Sequence, residues 1–296
     1  AVAGDLTLVF RPWQGEAVVQ PRFLDQKAWM AAITRAKQQP PADAGKPLRE
    51  AELAQIHSNP AVSPRLPKQE SGTRPATALP YDLMVDGALE DDHRTLRLEF
   101  RSLTRLFRDA TAGCPFQVRA PGRVAAAPSP ANAGREWQDL RIWDYAIAPG
   151  ARLSATWPLT DFADQRYHLQ VSGPNGFLRE LRGTPTDPSL YVAVDTEVDT
   201  TGVPTGNLRM IVTVGAVPAD LRLHLTANAY GQPEIVRALS PNTESTISLL
   251  LQRSHGWYDV TLTVEGAPDF ARRYAGRIET GQPSRTDPLM GREPIG

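Results

Sequence analysis

The side chains that most often bind metals or act as nucleophiles are few and scattered in this sequence. Zinc sites need several convergent nitrogen or sulfur ligands at regular spacing, and no HxH or HExxH spacing occurs. Cys114 is the only cysteine, which excludes an internal disulfide, a multi-cysteine zinc site and a CxxC redox pair. We interpret it as a small buried or half-buried thiol. No metal site is predicted from the five histidines, which are His57, His93, His168, His224 and His255.

Acidic residues are clustered in two places, and clustered oxygen ligands on loops are what calcium prefers. One cluster is the run EDD at 90–92, and the other comprises Asp195, Glu197 and Asp199. Neither follows the twelve-residue EF-hand pattern. Because charge runs are usually solvated, we favour solvated loops at the ends of a sandwich over a calcium site.

Aromatic side chains are the remaining candidates for binding chemistry, because rings stack on sugars and attract quaternary ammonium groups such as choline. Most of them alternate at strand spacing, and large rings dominate the cores of small sandwiches, so core packing is the favoured interpretation. Trp137 and Trp143 lie in a loop-like stretch and are the candidate surface-binding aromatics. The whole set comprises Trp137, Trp143, Tyr145, Trp157, Tyr230, Trp257 and Tyr258.

Several classes of function lack their required signatures. GxGxxG, Walker A and GxSxG motifs are absent, which argues against dinucleotide binding, nucleotide binding and lipase-elbow chemistry. Lys and Arg total 32 against 33 Asp and Glu, so no net field attracts nucleic acid or an anionic membrane. No stretch reaches the roughly 18 consecutive apolar residues of a transmembrane segment. We expect no cofactor, no nucleic-acid partner and no transmembrane segment.

Residues 1–78 are predicted to form an irregular, partly helical N-terminal segment that acts as a connector. Apolar residues at helical spacing predict a short helix over 28–37, and Asp25 can cap its start. A second short helix is predicted over 48–56, with Pro47 near its first turn, where the missing N–H costs little. Five prolines between 60 and 80 favour extended or polyproline-like backbone.

The remaining sequence consists of short runs in which apolar and polar residues alternate, separated by turn residues. This period of two is typical of strands in a β-sandwich. The run GPNG at 173–176 predicts a tight turn that joins 167–171 and 177–181 into a hairpin. We therefore predict a mainly β chain with two tandem immunoglobulin-like β-sandwich domains, at 79–184 and at 185–296.

An internal repeat supports two copies of one plan. The stretch RYHLQV at 166–171 aligns with WYDVTL at 257–262, and each leads through a turn to a phenylalanine and then a basic residue. A glycine, Gly183 or Gly276, closes each hairpin. Each copy spans about a hundred residues, near the usual size of an immunoglobulin-like sandwich, although the Cys and Trp signature of antibody domains is absent.

The chain also carries a series of short motifs in a fixed order. They are GDLT at 4–7, QESGTRPATALPYDL at 69–83, VDG at 85–87, PFQV at 115–118, YAIAPG at 145–150, GPNGF at 173–177, RELRG at 179–183, GWYDVTL at 256–262 and RRYAGRIETG at 272–281. In this order they resemble the bacterial phosphocholine-specific phospholipases C. The first motif is similar to the last segment of that family's catalytic domain. The second resembles the junction that precedes the C-terminal repeats, and the others resemble those repeats.

The resemblance implies an exported hydrolase that cleaves phosphatidylcholine or sphingomyelin to phosphocholine and a neutral lipid. In that family the nucleophile and the metal ligands belong to a large N-terminal phosphatase-like domain, which this sequence does not contain. The resemblance therefore transfers no catalytic, cofactor-binding or metal-binding residue onto this chain. It implies a secreted or periplasmic protein, whose partners are the catalytic domain of the same parent protein and a phospholipid surface. The opening of the sequence, without an initiator Met or a signal segment, is expected to be internal.

Two functions from different classes fit these observations. The favoured one is an accessory C-terminal region that packs on a catalytic domain or helps to present it to lipid. The alternative is a free-standing β-sandwich module that binds carbohydrate, choline or a protein partner.

Overall fold

The computed structural model of the chain describes residues 26–38, 46–60, 63, 72–127 and 136–290. The described residues divide into two compact units, an N-terminal unit up to residue 63 and a C-terminal unit from residue 72. Helices form most of the described N-terminal unit, and strands form most of the C-terminal unit.

The N-terminal unit contains two short helices, α1 (Gln26–Gln38) and α2 (Glu50–Ser58). They confirm the two helices that apolar spacing predicts, although α2 begins two residues later than predicted. Pro47 therefore lies three residues before the start of α2. The predicted cap of the first helix, Asp25, lies outside the described residues.

Charged side chains at the helix ends suit the helix dipole. Arg35 and Lys37 lie in the last turn of α1, and Glu50 and Glu52 lie in the first turn of α2. The Arg49 backbone N–H donates to the Glu52 carboxylate at 3.0 Å, which satisfies one free donor at the start of α2. Neither helix, nor any other in the described ranges, has the length and apolar content that crossing a bilayer requires.

The described residues of the C-terminal unit form sixteen strands. Strands two to eight make a first repeat and strands nine to fifteen a second, while the first and last strands pair with each other. The strands are β1 (Pro75–Ala76), β2 (Leu83–Leu89), β3 (Thr95–Ser102), β4 (Cys114–Ala125), β5 (Trp137–Ile147), β6 (Arg152–Pro158), β7 (Tyr167–Ser172), β8 (Leu178–Gly183), β9 (Leu190–Val198), β10 (Pro204–Val214), β11 (Leu221–Ala227), β12 (Ile235–Leu239), β13 (Glu244–Leu249), β14 (Trp257–Val264), β15 (Ala267–Arg277) and β16 (Ser284–Arg285).

The two repeats have the same strand order. In each, the first, second and fifth strands form a three-stranded sheet, β2-β3-β6 or β9-β10-β13. The third, fourth, sixth and seventh strands form a four-stranded set, β5-β4-β7-β8 or β12-β11-β14-β15. The two sets join where β8 pairs antiparallel with β15, so a single eight-stranded sheet runs through both repeats.

Each repeat encloses its own apolar core between its three-stranded sheet and its part of the long sheet. Alternation produces this arrangement: on β3, Leu96, Leu98 and Phe100 are fully buried, whereas Arg97 between them is exposed. Burial of each such apolar side chain stabilises the fold by about 1.5–3 kcal/mol. In the second repeat, Leu208 and Met210 on β10 have the same role.

The mainly β architecture and the partly helical N-terminal segment are confirmed. The immunoglobulin-like topology remains a prediction, because the fourth strand of each repeat lies in the larger sheet. In immunoglobulin constant domains the fourth strand instead joins the first, second and fifth strands. The division into domains at 78/79 and 184/185 also remains a prediction.

The hairpin predicted around residues 173–176 is confirmed, since β7 and β8 pair antiparallel across it. Asn175 and Gly176 both have positive φ, at 58° and 70°, as the turn favoured between twisted strands requires. The repeat alignment is also structural: Tyr167 pairs with Gly183 in the first repeat as Tyr258 pairs with Gly276 in the second.

Candidate functional site

The candidate surface aromatics, Trp137 and Trp143, both lie in β5, so their placement in a loop-like stretch was wrong. β5 is an edge strand of the long sheet, and residues on both of its faces are exposed. The alternation that marks a half-buried strand is therefore weak in its sequence. Six residues separate the two rings along the strand, which corresponds to about 20 Å, so the structure does not bring them into one site.

Only Trp137 has the exposure that a surface-binding ring needs. Trp137 is 37% exposed, and the Arg123 guanidinium lies 5.8 Å from its ring centroid. Trp143 is half-buried and packs edge-on against Trp157 at 5.7 Å, with the Arg141 guanidinium at 4.8 Å on its ring. Trp143 therefore belongs mainly to the rim of the first core.

The exposed apolar surface of β5 extends to its other face. Leu140 and Ile142 are exposed there, on the side of the long sheet that carries no second sheet. Among the described strands, β5 pairs with β4 on one side only. The strand thus combines apolar side chains with a position at the sheet edge.

Cys114 lies at the start of β4 and is buried, which confirms its interpretation as a small buried or half-buried thiol. Burial raises the pKa of its thiol to about 12, so the thiol is protonated at neutral pH. Its Sγ faces the Pro115 carbonyl oxygen at 3.6 Å. The geometry gives this group no role as a nucleophile.

The histidines are dispersed in the structure as well as in the sequence. His93 contacts the Pro185 carbonyl oxygen at 3.1 Å, whereas His168 and His224 contact different carboxylates. Across the described ranges, no group of three or more His, Cys, Asp or Glu residues lies close enough to hold a metal ion.

The second acidic cluster is not a loop, which corrects the expectation. Asp195 and Glu197 lie in β9, and only Asp199 lies beyond its end. Asp195 is ion-paired with Arg105, and Glu197 accepts hydrogen bonds from hydroxyl and amide donors of neighbouring strands. The carboxylates are thus engaged with the protein's own donors.

The densest arrangement of buried charge lies where β8 and β15 pair, a region that we call the seam. Arg179 on β8 and Arg272 on β15 are 2% and 3% exposed. They occupy equivalent positions, two residues after Phe177 and Phe270, and each guanidinium lies about 4 Å from that ring, at 4.1 and 4.2 Å. The two repeats therefore bury a matching pair of cations.

Each buried arginine reaches across the seam to the other repeat. Arg179 donates to the Tyr258 hydroxyl at 3.2 Å and to the Ala275 carbonyl at 3.1 Å. Arg272 donates to the Tyr167 hydroxyl and to the Arg182 carbonyl, the latter at 2.6 Å. These exchanged bonds fix the two repeats in one orientation.

Arg272 has a carboxylate partner. Asp187 lies 3.6 Å from its guanidinium and accepts from the Tyr167 hydroxyl and, at 2.8 Å, from the Thr184 backbone N–H. Burial raises the pKa of Tyr167, which keeps its hydroxyl available as a donor to Asp187. This side of the seam is charge-balanced.

The opposite face of the long sheet carries a second set of ion pairs across the seam. Glu180 accepts from His168 at 2.7 Å and also from Arg182, and the His168 hydrogen bond is the main cause that lowers the pKa of Glu180 to about 2. Arg273 forms ion pairs with both Glu180, at 3.8 Å, and Asp259, at 2.6 Å.

A recess lies beside Arg179, between the two repeats. It has a volume of about 40 Å³ and is partly open to solvent. Arg277 and Glu279 line it and form an ion pair at 3.1 Å, and Asn175 donates to the same Glu279 oxygen at 2.7 Å. Burial raises the pKa of Glu279, against the opposing effect of Arg277.

Sequence reasoning did not identify this seam. One signal was present, because a basic residue follows the aligned phenylalanine in both repeats. Nothing in the sequence indicates that these arginines are buried, since arginine is one of the residue types most often exposed.

Comparisons with known proteins identify the family. The family described as "Bacterial phospholipase C, C-terminal domain" matches residues 75–184 and again residues 191–277. The non-hemolytic phospholipase C of Burkholderia pseudomallei is 35% identical over 235 residues, which cover 78% of this chain. The hemolytic phospholipase C of Pseudomonas aeruginosa is 33% identical over 239 residues, which cover 76% of this chain.

This chain spans 30% of the length of these relatives. Among solved structures, red sea bream transglutaminase matches over 81% of this chain and 34% of its own, with 12% identity and a TM-score of 0.21, too weak a likeness to carry an argument. Because the family match takes in both repeats and most of the residues, this chain belongs to the family of bacterial phospholipase C C-terminal domains.

Proposed function

We propose that this chain is the accessory C-terminal region of a secreted or periplasmic phospholipase C. The parent enzyme hydrolyses phosphatidylcholine or sphingomyelin to phosphocholine and a neutral lipid. This region packs on the catalytic domain or aids its contact with a lipid surface. The observation that carries the proposal is the family match over both repeats in a chain that spans only 30% of relatives named phospholipase C.

The geometry of the repeats fits an accessory role. Four buried charged residues, Arg179, Glu180, Asp187 and Arg272, are engaged in the contacts of the seam. The exchanged arginine–tyrosine bonds and the shared sheet join the two repeats into one compact unit. A unit of this kind can present a partner surface from both repeats together.

The edge strand β5 is the part of this body that we assign to the contact. Leu140 and Ile142 supply exposed apolar surface, and Trp137 with Arg123 supplies an aromatic and cationic rim. A catalytic domain can pack on such an edge, and a lipid headgroup region also accommodates these residue types.

The first experiment assays the isolated chain on phosphatidylcholine vesicles. Phosphocholine release should equal that of buffer alone, because the bond-breaking groups are proposed to lie elsewhere in the parent protein. Clear release of phosphocholine by this chain would show that the active site has been placed in the wrong part of the protein.

A second experiment separates the two accessory roles in the full-length parent protein. The double substitution Leu140→Asp with Ile142→Asp is assayed on vesicles and on a soluble phosphocholine ester, and Val236→Asp on the other edge strand β12 is the matched control. A lower rate on vesicles alone indicates lipid contact. A lower rate on both substrates indicates packing on the catalytic domain, and unchanged rates on both would remove β5 from the proposal.

The alternative is a free-standing module that binds carbohydrate, choline or a protein partner, and the exposed ring of Trp137 favours it. Co-sedimentation with glycan beads and with phosphatidylcholine liposomes tests this function. Trp137→Ala should abolish binding, Trp143→Ala should reduce it less, and Trp29→Ala, which removes a 56% exposed ring of the N-terminal unit, should leave it unchanged. The full-length reading frame decides between the two functions, since only the accessory role requires a catalytic domain upstream.

A further inference from the structure

The two buried arginines of the seam differ in how their charge is compensated. At Arg272, the Asp187 carboxylate stands beside the guanidinium and beside the tyrosine hydroxyl that the guanidinium binds. At Arg179, no carboxylate of the described residues lies within 4.0 Å of the guanidinium. Its partner Tyr258 is among the residues that line the recess.

The surroundings of Arg179 leave two buried N–H donors without a partner in the described part of the chain. They are the Nε–H groups of Arg179 and Arg277. Both residues line the recess, and their side chains are almost entirely buried. A buried N–H without a partner destabilises the fold, and the cost is higher when the group is charged.

Nearby carboxylates do not supply the missing charge. Asp86 is close enough for Arg179 to lower its pKa, but burial raises that pKa more, and Arg101 and the Val194 N–H already bind its two oxygens. Asp82 and Asp195 line the recess as well, and both are paired with Arg105. Glu279 is paired with Arg277.

We infer that the recess between the repeats binds one small monovalent anion, of the size of chloride or formate, against the Nε–H groups of Arg179 and Arg277. The anion balances the charge of Arg179 as the Asp187 carboxylate balances that of Arg272, although Asp187 lies beside the Nη2 atom of Arg272 rather than its Nε atom. A volume of about 40 Å³ has room for about one to three water-sized groups, which suits these anions better than the larger sulfate or phosphate. Charge-assisted hydrogen bonds from guanidinium groups are the strong kind that such binding needs.

The test measures binding of chloride to the full chain from the excess line width of its ³⁵Cl NMR signal. The wild type should broaden the signal, and formate at equal ionic strength should reverse the broadening whereas sulfate should not. Arg179→Met should remove the part of the line broadening that formate reverses. Arg237→Met, which removes an exposed arginine of β12, should leave it unchanged. The absence of formate-sensitive broadening in the wild type, or its persistence in Arg179→Met, would overturn the inference.

A second variant keeps the test informative if Arg179→Met fails to fold. Glu279→Gln removes the one negative charge in direct contact with Arg277 at the recess. Chloride should then bind more tightly by about tenfold, which corresponds to about 1.4 kcal/mol. Weaker or equal binding in Glu279→Gln would contradict the site. In crystals soaked with bromide, the anomalous peak should lie beside Arg179 Nε, and a peak found only elsewhere would contradict it equally.

Discussion

Arg272 and Arg179 occupy equivalent positions in the two repeats, yet one has a buried acid beside it and the other has a recess. Each guanidinium lies against the ring of the phenylalanine two residues earlier, and each donates to a tyrosine hydroxyl of the opposite repeat. The framework that holds the repeats together is thus duplicated, whereas the compensation of its charge is not. Geometry at a repeat interface can therefore be symmetric while its chemistry is not, and the asymmetric side is where a ligand can bind.

The largest expected effect comes from removing the charge-balanced arginine. Arg272→Met leaves Asp187 buried with only a hydroxyl and one backbone N–H as donors. Breaking a buried ion pair by removing one partner usually costs about 3–5 kcal/mol, and that loss is expected in the free energy of unfolding of the full chain. Urea titration followed by tryptophan fluorescence measures it. Arg237→Met serves as the control and should stay within about 0.5 kcal/mol of the wild type.

A smaller loss, about 2 kcal/mol, is expected for Arg179→Met in the same measurement. The substitution removes donors from the Tyr258 hydroxyl and the Ala275 carbonyl, but it leaves no ion-paired carboxylate without its cation. If both substitutions destabilised the chain equally, the proposed difference in charge compensation would be wrong.

The two ends of the seam provide a second contrast at equivalent positions. At one end, the Trp257 ring packs on the turn at Gly176, and its Nε1 donates to the Arg285 carbonyl at 3.4 Å. At the other end, Arg166 forms an exposed ion pair with Asp269. Trp257→Ala should cost about 1.5 kcal/mol, because half-buried aromatic area is lost, and Arg166→Ala less than about 1 kcal/mol. Thermal unfolding in low and high salt compares them, and only the Arg166 effect should shrink with salt. If the destabilisation by Trp257→Ala also shrank with salt, its attribution to lost aromatic packing would be wrong.

Much of this framework follows from local sequence patterns. The alternation in 95–102 and the GPNG turn at 173–176 each fix a strand or a hairpin, because period two and turn chemistry are local properties. The aligned stretches at 166–171 and 257–262 fix the common register of the repeats. Apolar spacing was sufficient for both N-terminal helices.

The seam could not be predicted in this way. Whether β8 pairs with β15 depends on contacts between residues about 90 positions apart. The local sequence of each strand does not indicate which strand it pairs with. Burial of Arg179 follows only once that pairing is known. The strand at Trp137 was missed for a related reason, because an edge strand exposed on both faces has no clear alternation.

The last expected effect concerns the outer face of the seam and its dependence on pH. Glu180 accepts from His168 and Arg182, which lowers its pKa from an ordinary 4.5 to about 2. A carboxylate whose pKa is lowered by folding stabilises the protein above the ordinary pKa, and this contribution is lost as the pH falls toward 2. The free energy of unfolding of the wild type should therefore decline more steeply between pH 4.5 and pH 2 than that of Glu180→Gln. Urea titrations at a series of pH values measure the two slopes. Glu265→Gln, at an exposed carboxylate, should keep the wild-type slope, and a wild-type slope in Glu180→Gln would show that these outer ion pairs do not stabilise the seam.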